Sequence, residues 1–129
     1  MTREESLCNP GGIEIEPGVT WQGQALDQPD PTFVKFIDMA HGVRAMAVVL
    51  TNYKVRDGVL TYAGAITRWA PPASNNTQAY IEAVCQACNV QSGDDYVVDF
   101  CLLRAICDHE NGRPNTITDD DITQGLALV

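Results

Sequence analysis

The stretch from Tyr96 to Cys107 is apolar on nearly every side, since it contains Val97, Val98, Phe100, Cys101, Leu102, Leu103, Ala105 and Ile106. A helix at a protein surface keeps one polar face, whereas a helix that is apolar all round has to be enclosed by other elements. The two aspartates in front of it, Asp94 and Asp95, are residue types that cap helix N-termini. We therefore predict that this stretch is the central helix of the fold, capped by Asp94 or Asp95.

Four other segments carry helical signals, which are apolar residues at helical spacing, N-cap residues or proline stops. The last of them begins with three aspartates, whose charges favour the positive end of the helix dipole. Together they predict an all-α, mainly helical domain. The first helix spans residues 43–53, and the second starts near Thr61 and stops at Pro71-Pro72. The third runs from an Asn75-Asn76-Thr77 cap to Cys88, and the fourth starts from a Thr118 cap.

The N-terminal quarter of the chain has a different composition. Residues 8–32 are rich in Gly, Pro, Asp and Gln, which predicts an ordered loop region around Trp21. Residues 33–36 have a short strand-like character, and we expect residues 1–7 to be disordered. The N-terminal region is therefore predicted to be rich in loops.

Length and charge limit the classes of function. With 129 residues, of which 45% are hydrophobic, residues 1–129 fit one compact domain. The net charge of −9 argues against nucleic-acid binding, which needs clustered Lys and Arg. No apolar run reaches membrane-spanning length, and the N-terminus lacks the pattern of a secretory signal peptide.

The five cysteines are an odd number and lack the regular spacing of a small disulfide-rich domain. Cys85 and Cys88 form a CxxC pair, which is typical of a redox pair or of half a zinc site. Both also share a helical face with Ile81 and Val84, which favours packing of reduced thiols in the core. No metal and no cofactor are predicted.

Glu110 lies where the predicted central helix ends, before Gly112. A carboxyl group at the end of a buried helix is partly desolvated and keeps its proton to higher pH. A general acid that acts near neutral pH needs this property. The alternative is an ordinary surface glutamate at a helix end.

Several motifs, in their order along the chain, resemble those of a family of bacteriophage virion-associated peptidoglycan-lytic proteins, which are similar to lysozyme-like lytic transglycosylases. The most specific motif is ITRWAPP at 66–72, followed by Asn76, Thr77 and Tyr80. The other motifs are CNPGGI at 8–13, Trp21-Gln22-Gly23, Phe33 to Phe36, Gly42 to Ala45, and His109-Glu110-Asn111-Gly112.

The resemblance implies a single lysozyme-like domain with permuted motif order. Glu110 matches the catalytic acid, Tyr80 the cleft tyrosine, and Asn76-Thr77 stand where the transglycosylases have Glu-Thr. Asn9 belongs to the motif that corresponds to their Asn-Pro loop. The sequence departs from the family at Gly12, where the phage motif has Asn, and at Asn111, where the transglycosylases commonly have Ser.

Two aromatic residues are candidates for stacking on sugar rings. Trp21, in the loop region, is the better ligand candidate, whereas Trp69 lies on the inner face of a short helix and is expected in the core. We therefore predict that Tyr80, Asn76, Thr77, Trp21 and Asn9 contact substrate.

The mechanism depends on whether a second carboxylate is present. Two-carboxylate glycosidases need carboxyl groups about 5 Å apart for retention or about 6.5–9.5 Å apart for inversion. By chain region the candidates are Glu14, Glu16, Asp27 and Asp108, and none of them belongs to a recognised motif. A lytic transglycosylase needs only one carboxyl group, so cleavage of the MurNAc-GlcNAc β-1,4 bond by transglycosylation with Glu110 as general acid/base is favoured over hydrolysis.

Two alternatives come from other functional classes. The first is a catalytically inactive virion structural or glycan-binding protein with the same fold. The second is a cytoplasmic interaction or regulatory module that uses the acidic surface and the CxxC pair. On the favoured interpretation the partners are peptidoglycan glycan strands and other virion proteins, and the location is the virion or the host cell envelope, that is, the periplasm.

Overall fold

The computed structural model describes all 129 residues and contains six helices, which confirms the all-α prediction. Strand-like pairing is limited to isolated bridges, two of which tie Phe33 and Phe36 to the N-terminal loop region. No helix is long and apolar enough to cross a membrane. The helices are α1 (Arg3–Ser6), α2 (Met39–Val55), α3 (Tyr62–Trp69), α4 (Thr77–Cys88), α5 (Phe100–Asn111) and α6 (Asp119–Ala127).

Each helix begins at a side chain that caps its free backbone N–H groups. Thr61 accepts a hydrogen bond from the Gly64 N–H and caps α3, whose start was predicted near this residue. Thr118 and Asp121 form a capping box at the start of α6. Cap chemistry therefore predicted two of the six start points, at Asn76 within the Asn75-Asn76-Thr77 cap and at Thr118.

The predicted start of the central helix was wrong. α5 begins at Phe100 with Asp99 as its N-cap. The preceding residues are extended, because the Tyr96 N–H donates to the Leu60 carbonyl and the Asp94 carbonyl accepts from the Tyr62 N–H. This pairing with the chain before α3 prevents the apolar run from becoming helical at Tyr96.

The helices pack around a cluster of 24 buried residues. α2 and α5 supply its centre, because Val43, Met46 and Leu50 of α2 and Leu102 and Ile106 of α5 are completely buried. α5 is buried along this side while Phe100 at its start is 38% exposed. The prediction of a buried central helix is thus correct for half of α5, since six of its twelve residues are buried.

Cys88 forms a disulfide bond with Cys101, which links the end of α4 to the start of α5. The expectation that Cys88 is a reduced thiol in the core is corrected by this pairing. Cys85 is buried and free, as predicted, and Cys8 and Cys107 are also free. The CxxC pair therefore has no disulfide within it, since Cys88 pairs with Cys101 and Cys85 is free.

The N-terminal segment is ordered by hydrogen bonds to the other end of the chain. Glu5 of α1 is only 6% exposed and accepts hydrogen bonds from the backbone N–H and the hydroxyl group of Thr116. The Thr2 N–H also donates to Glu5, at 3.0 Å. Residues 1–7, for which we expected disorder, therefore contain a helix that is fixed to the segment after α5.

We predict that Glu5→Gln destabilises the protein at neutral pH by about 1–3 kcal/mol, because an amide leaves buried donors without an acceptor. The Thr116 hydroxyl, with the Thr2 backbone, lowers the pKa of Glu5 from 4.5 to about 2. The stability that depends on ionised Glu5 is therefore complete above about pH 4.5 and is lost as the pH falls through about 2.

Urea unfolding as a function of pH measures this contribution. The control is Glu82→Gln on the exposed side of α4, which should leave the profile unchanged. Equal stability of Glu5→Gln and the unmodified protein across this acidic range would show that α1 is not held by Glu5.

Candidate active site

A cleft of about 540 Å³ opens between the N-terminal loop region, α2, the end of α3 and the end of α5. Its lining includes Trp21, Phe33, Trp69 and Asn75. Glu110 lines the cleft from the last turn of α5. The cleft therefore combines aromatic side chains with carboxyl groups, among them that of Glu110.

Two donors point at the same oxygen of Glu110. The Tyr80 hydroxyl donates to Oε1 at 3.0 Å, and the Trp69 indole N–H donates to the same atom at 3.4 Å. Burial raises the pKa of Glu110, while these two hydrogen bonds and the nearby His109 act in the opposite direction. Burial dominates, so the structure gives Glu110 the raised pKa that its place in the sequence predicted.

Tyr80 is held rigidly beside Glu110. It is 3% exposed on α4, and its ring packs on His109 with ring centroids 3.9 Å apart. Burial and the charge of Glu110 raise the pKa of Tyr80, so its hydroxyl stays neutral and remains a hydrogen-bond donor. The structure thus brings together Tyr80 and Glu110, two predicted site residues that are 30 positions apart.

Trp69 forms part of the wall of the cleft as well as part of the core. Its ring packs against the hydrophobic cluster, while its indole N–H reaches Glu110. A Cβ on Gly11 would come within 2.7 Å of this ring, so the loop can approach Trp69 only because residue 11 is glycine. Trp69 therefore lies partly against the core, as expected, and partly at the cleft.

Three predicted substrate contacts have structural roles outside the cleft. Asn9 is completely buried, and its side chain bonds to the backbone of Ile13 and Val34. Asn76 caps α4, and the Thr77 hydroxyl donates to the Ala70 carbonyl at 2.6 Å. Of the five predicted substrate contacts, only Trp21 is among the residues that line the cleft, and Tyr80 is connected to the cleft through its hydrogen bond to Glu110.

The four second carboxylates considered from the sequence divide into two groups. Glu14 and Glu16 line the cleft and are exposed. Asp108 is bound by Arg104 at 2.7 Å in a separate groove, and Asp27 pairs with Lys35 at 2.8 Å. Asp27 and Asp108 are therefore occupied by structural ion pairs.

Glu4 is a cleft residue that the sequence reasoning missed. It projects from α1 and lines the cleft together with Glu110. Burial, followed by the charge of Glu110, raises the pKa of Glu4 from 4.5 to about 7. One signal could have revealed this helix, because Thr2 and Glu5 have the spacing of a capping box.

No group of three or more His, Cys, Asp or Glu side chains is arranged to hold a metal ion. The side chains that line the cleft include four carboxyl groups, of Glu4, Glu14, Glu16 and Glu110, and two indole rings, and the Tyr80 hydroxyl contacts Glu110. Such a set can transfer protons and can stack on flat apolar faces of a ligand.

No protein-family model matches the chain. It is, however, 36% identical over 123 residues to Protein P5 of Pseudoalteromonas phage PM2, and this match covers 92% of the chain and 76% of the phage protein. The chain belongs to the family of this phage protein. The P5 family membership confirms the part of the sequence resemblance that pointed to a phage protein.

We predict that Tyr80→Phe raises the pKa of Glu110 further. The Tyr80 hydroxyl stabilises the charged carboxylate by donating a hydrogen bond to it, and phenylalanine removes this donor. The ring of phenylalanine fills the same space, so packing on His109 is kept. NMR titration of the Glu110 carboxyl carbon in the two proteins measures the change.

Tyr62→Phe is the matched control, since Tyr62 is also buried, at 4% exposed, but its hydroxyl does not donate to Glu110, as that of Tyr80 does. This variant should leave the titration of Glu110 unchanged. The same Glu110 midpoint in Tyr80→Phe as in the unmodified protein would contradict the hydrogen bond as a determinant of the site.

Proposed function

We propose that this P5 family protein is a peptidoglycan-degrading muramidase, and specifically a lytic transglycosylase that cleaves the MurNAc-GlcNAc β-1,4 bond. The observation that carries the proposal is Glu110, a carboxyl group with a raised pKa at an open cleft, held by hydrogen bonds from Tyr80 and Trp69. Perturbed carboxyl groups in clefts are candidates for acid/base catalysis.

The reaction needs two proton transfers. A protonated carboxyl group gives its proton to the glycosidic oxygen as the bond from C1 to that oxygen breaks. A carboxylate then takes the proton from the 6-hydroxyl of the muramic acid, whose oxygen bonds to C1 and closes the 1,6-anhydro ring. Glu110 can serve both steps in turn as general acid/base, and no water is consumed.

The walls of the cleft suit a saccharide. Its volume of about 540 Å³ lies within the range of about 300–1,000 Å³ that is usual for ligand sites. The indole rings of Trp21 and Trp69 offer faces on which sugar rings stack, and Asn75 offers an amide for hydrogen bonds with N-acetyl groups. These features support a glycan strand as the ligand.

The phage relative supports the biological setting of the proposal. A phage must pass the host cell wall, and a protein of the virion with this activity would act in the host cell envelope. We therefore propose peptidoglycan strands and other virion proteins as partners, and a lysozyme-like arrangement of the domain around Glu110.

We predict that the purified protein releases soluble muropeptides from peptidoglycan, and that Glu110→Gln lowers the rate by at least about 10²-fold, because an amide cannot exchange the proton. Mass spectrometry of the products identifies the reaction. Anhydromuramyl ends are expected from a transglycosylase, whereas reducing ends would mean hydrolysis.

Glu82→Gln serves again as the control, since it removes one exposed carboxylate far from the cleft lining. Circular dichroism should show the same helical content and melting behaviour for all three proteins. The absence of any release by the unmodified protein would refute the proposed activity and favour a non-catalytic protein of the virion.

A further inference from the structure

Glu4 and Glu110 line the same cleft, but their carboxyl groups have different surroundings. Oε1 of Glu110 accepts hydrogen bonds from Tyr80 and Trp69. No hydrogen bond or ion pair within the protein reaches the carboxyl group of Glu4, although this residue is half-buried. Donors stabilise a carboxylate, whereas burial without donors stabilises the protonated acid.

The positions of the two groups are fixed by one buried side chain. Asn111, next to Glu110, accepts a hydrogen bond from the Thr2 hydroxyl at 2.6 Å and donates to the Pro10 carbonyl at 2.9 Å. The first contact fixes the start of α1, which carries Glu4. The second fixes the loop before Gly12, so hydrogen bonds of one side chain connect α1, this loop and the end of α5.

Gly12 leaves the space that Glu4 occupies. A Cβ at this position would lie 2.7 Å from Oε1 of Glu4, and the backbone there has a φ of +64°. Glycine is the residue that adopts this conformation without strain. The loop is thus shaped to leave room for the Glu4 carboxyl group at the cleft.

We propose that Glu4 is the second catalytic carboxyl group of the cleft, which donates the proton to the departing glycosidic oxygen while Glu110 acts as the base. This inference rests on the proposed function and divides its two proton transfers between two groups. The proton moves from Glu4 to the leaving oxygen as the bond from C1 breaks. Glu110 takes the proton of the muramic acid 6-hydroxyl as the bond from that oxygen to C1 forms, and this proton then returns to Glu4.

The electrostatics of the pair agree with this division. Burial and the charge of Glu110 raise the pKa of Glu4 to about 7, so Glu4 keeps its proton up to near neutral pH. At Glu110 the hydrogen bonds from Tyr80 and Trp69 favour the carboxylate and oppose the burial that raises its pKa. Two carboxyl groups whose environments separate their pKa values can divide the acid and base roles. The assignment of the acid role to Glu4 and the base role to Glu110 follows from the hydrogen-bond donors at Glu110 and their absence at Glu4.

The test compares muropeptide release by the unmodified protein, Glu4→Gln, Glu110→Gln and Glu82→Gln at several pH values. We expect Glu4→Gln to lower the rate by at least about 10²-fold. In the unmodified protein the rate should fall as the pH rises through about 7, where Glu4 loses its proton. Active unmodified protein with a Glu4→Gln rate within about threefold of it would overturn the role of Glu4 alone.

Failure of the proposed function has a different signature. If the unmodified protein releases nothing, both the activity and the catalytic role of Glu4 are refuted. NMR titration gives a readout without turnover: the Glu4 midpoint should lie near 7 and should fall in Glu110→Gln, where the neighbouring charge is gone. A midpoint near the ordinary value of 4.5 would also overturn the proposal.

A second variant keeps the carboxyl group and moves it. Gly12→Ala should displace Glu4 and lower the rate. Gly18→Ala is the matched control, because Gly18 also has a positive φ, of +79°, but a Cβ there meets nothing within 4 Å. Equal loss of activity in the two glycine variants would attribute the effect to backbone strain and contradict the proposed place of Glu4.

Discussion

The buried side chain of Asn111 holds together the parts of the protein from which the cleft is built. Its amide group bonds to Thr2, to the Pro10 carbonyl and to the Cys107 carbonyl, and these partners lie 109, 101 and 4 positions away. A buried amide is costly unless its donors and acceptor are satisfied. Because all of them are satisfied here, the N-terminal helix, the loop and the end of α5 have one well-defined arrangement.

The cleft lies where these parts meet, and hydrogen-bond donors reach the carboxyl group of Glu110 but not that of Glu4. α3 and α4 bring an indole N–H and a hydroxyl group to Glu110. α1 brings Glu4 to the same cleft without a donor. Since the two carboxyl groups differ in this way, hydrogen bonds favour the ionised form at Glu110 but not at Glu4, and groups with such different surroundings are suited to divide the acid and base roles.

The sequence was most informative where a feature depends on neighbouring residues. The caps at Asn76 and Thr118 were predictable because a cap needs only the next turn of its own helix. The start of α5 was misplaced because the extended backbone around Tyr96 pairs with Leu60, a contact that no local pattern contains. Most of the helical fold was therefore predictable, and the errors come from contacts between distant segments.

The same distinction applies to the site. The prediction of Glu110 as a desolvated carboxyl group succeeded because it depended on the end of one helix. Glu4 was missed because its place at the cleft depends on hydrogen bonds between chain segments more than 100 positions apart. Asn9 was assigned to substrate from a motif, although its amide instead satisfies the backbone of a buried loop.

The disulfide bond between Cys88 and Cys101 joins α4 to α5, the two helices that carry Tyr80 and Glu110. Such bonds persist in oxidising compartments and are reduced in the cytosol of most cells. In an oxidising compartment the two helices are covalently tethered, and their separation on unfolding is limited by a short loop. In a reducing one, only non-covalent packing keeps the tyrosine against the glutamate, so the durability of the cleft depends on the redox state of its surroundings.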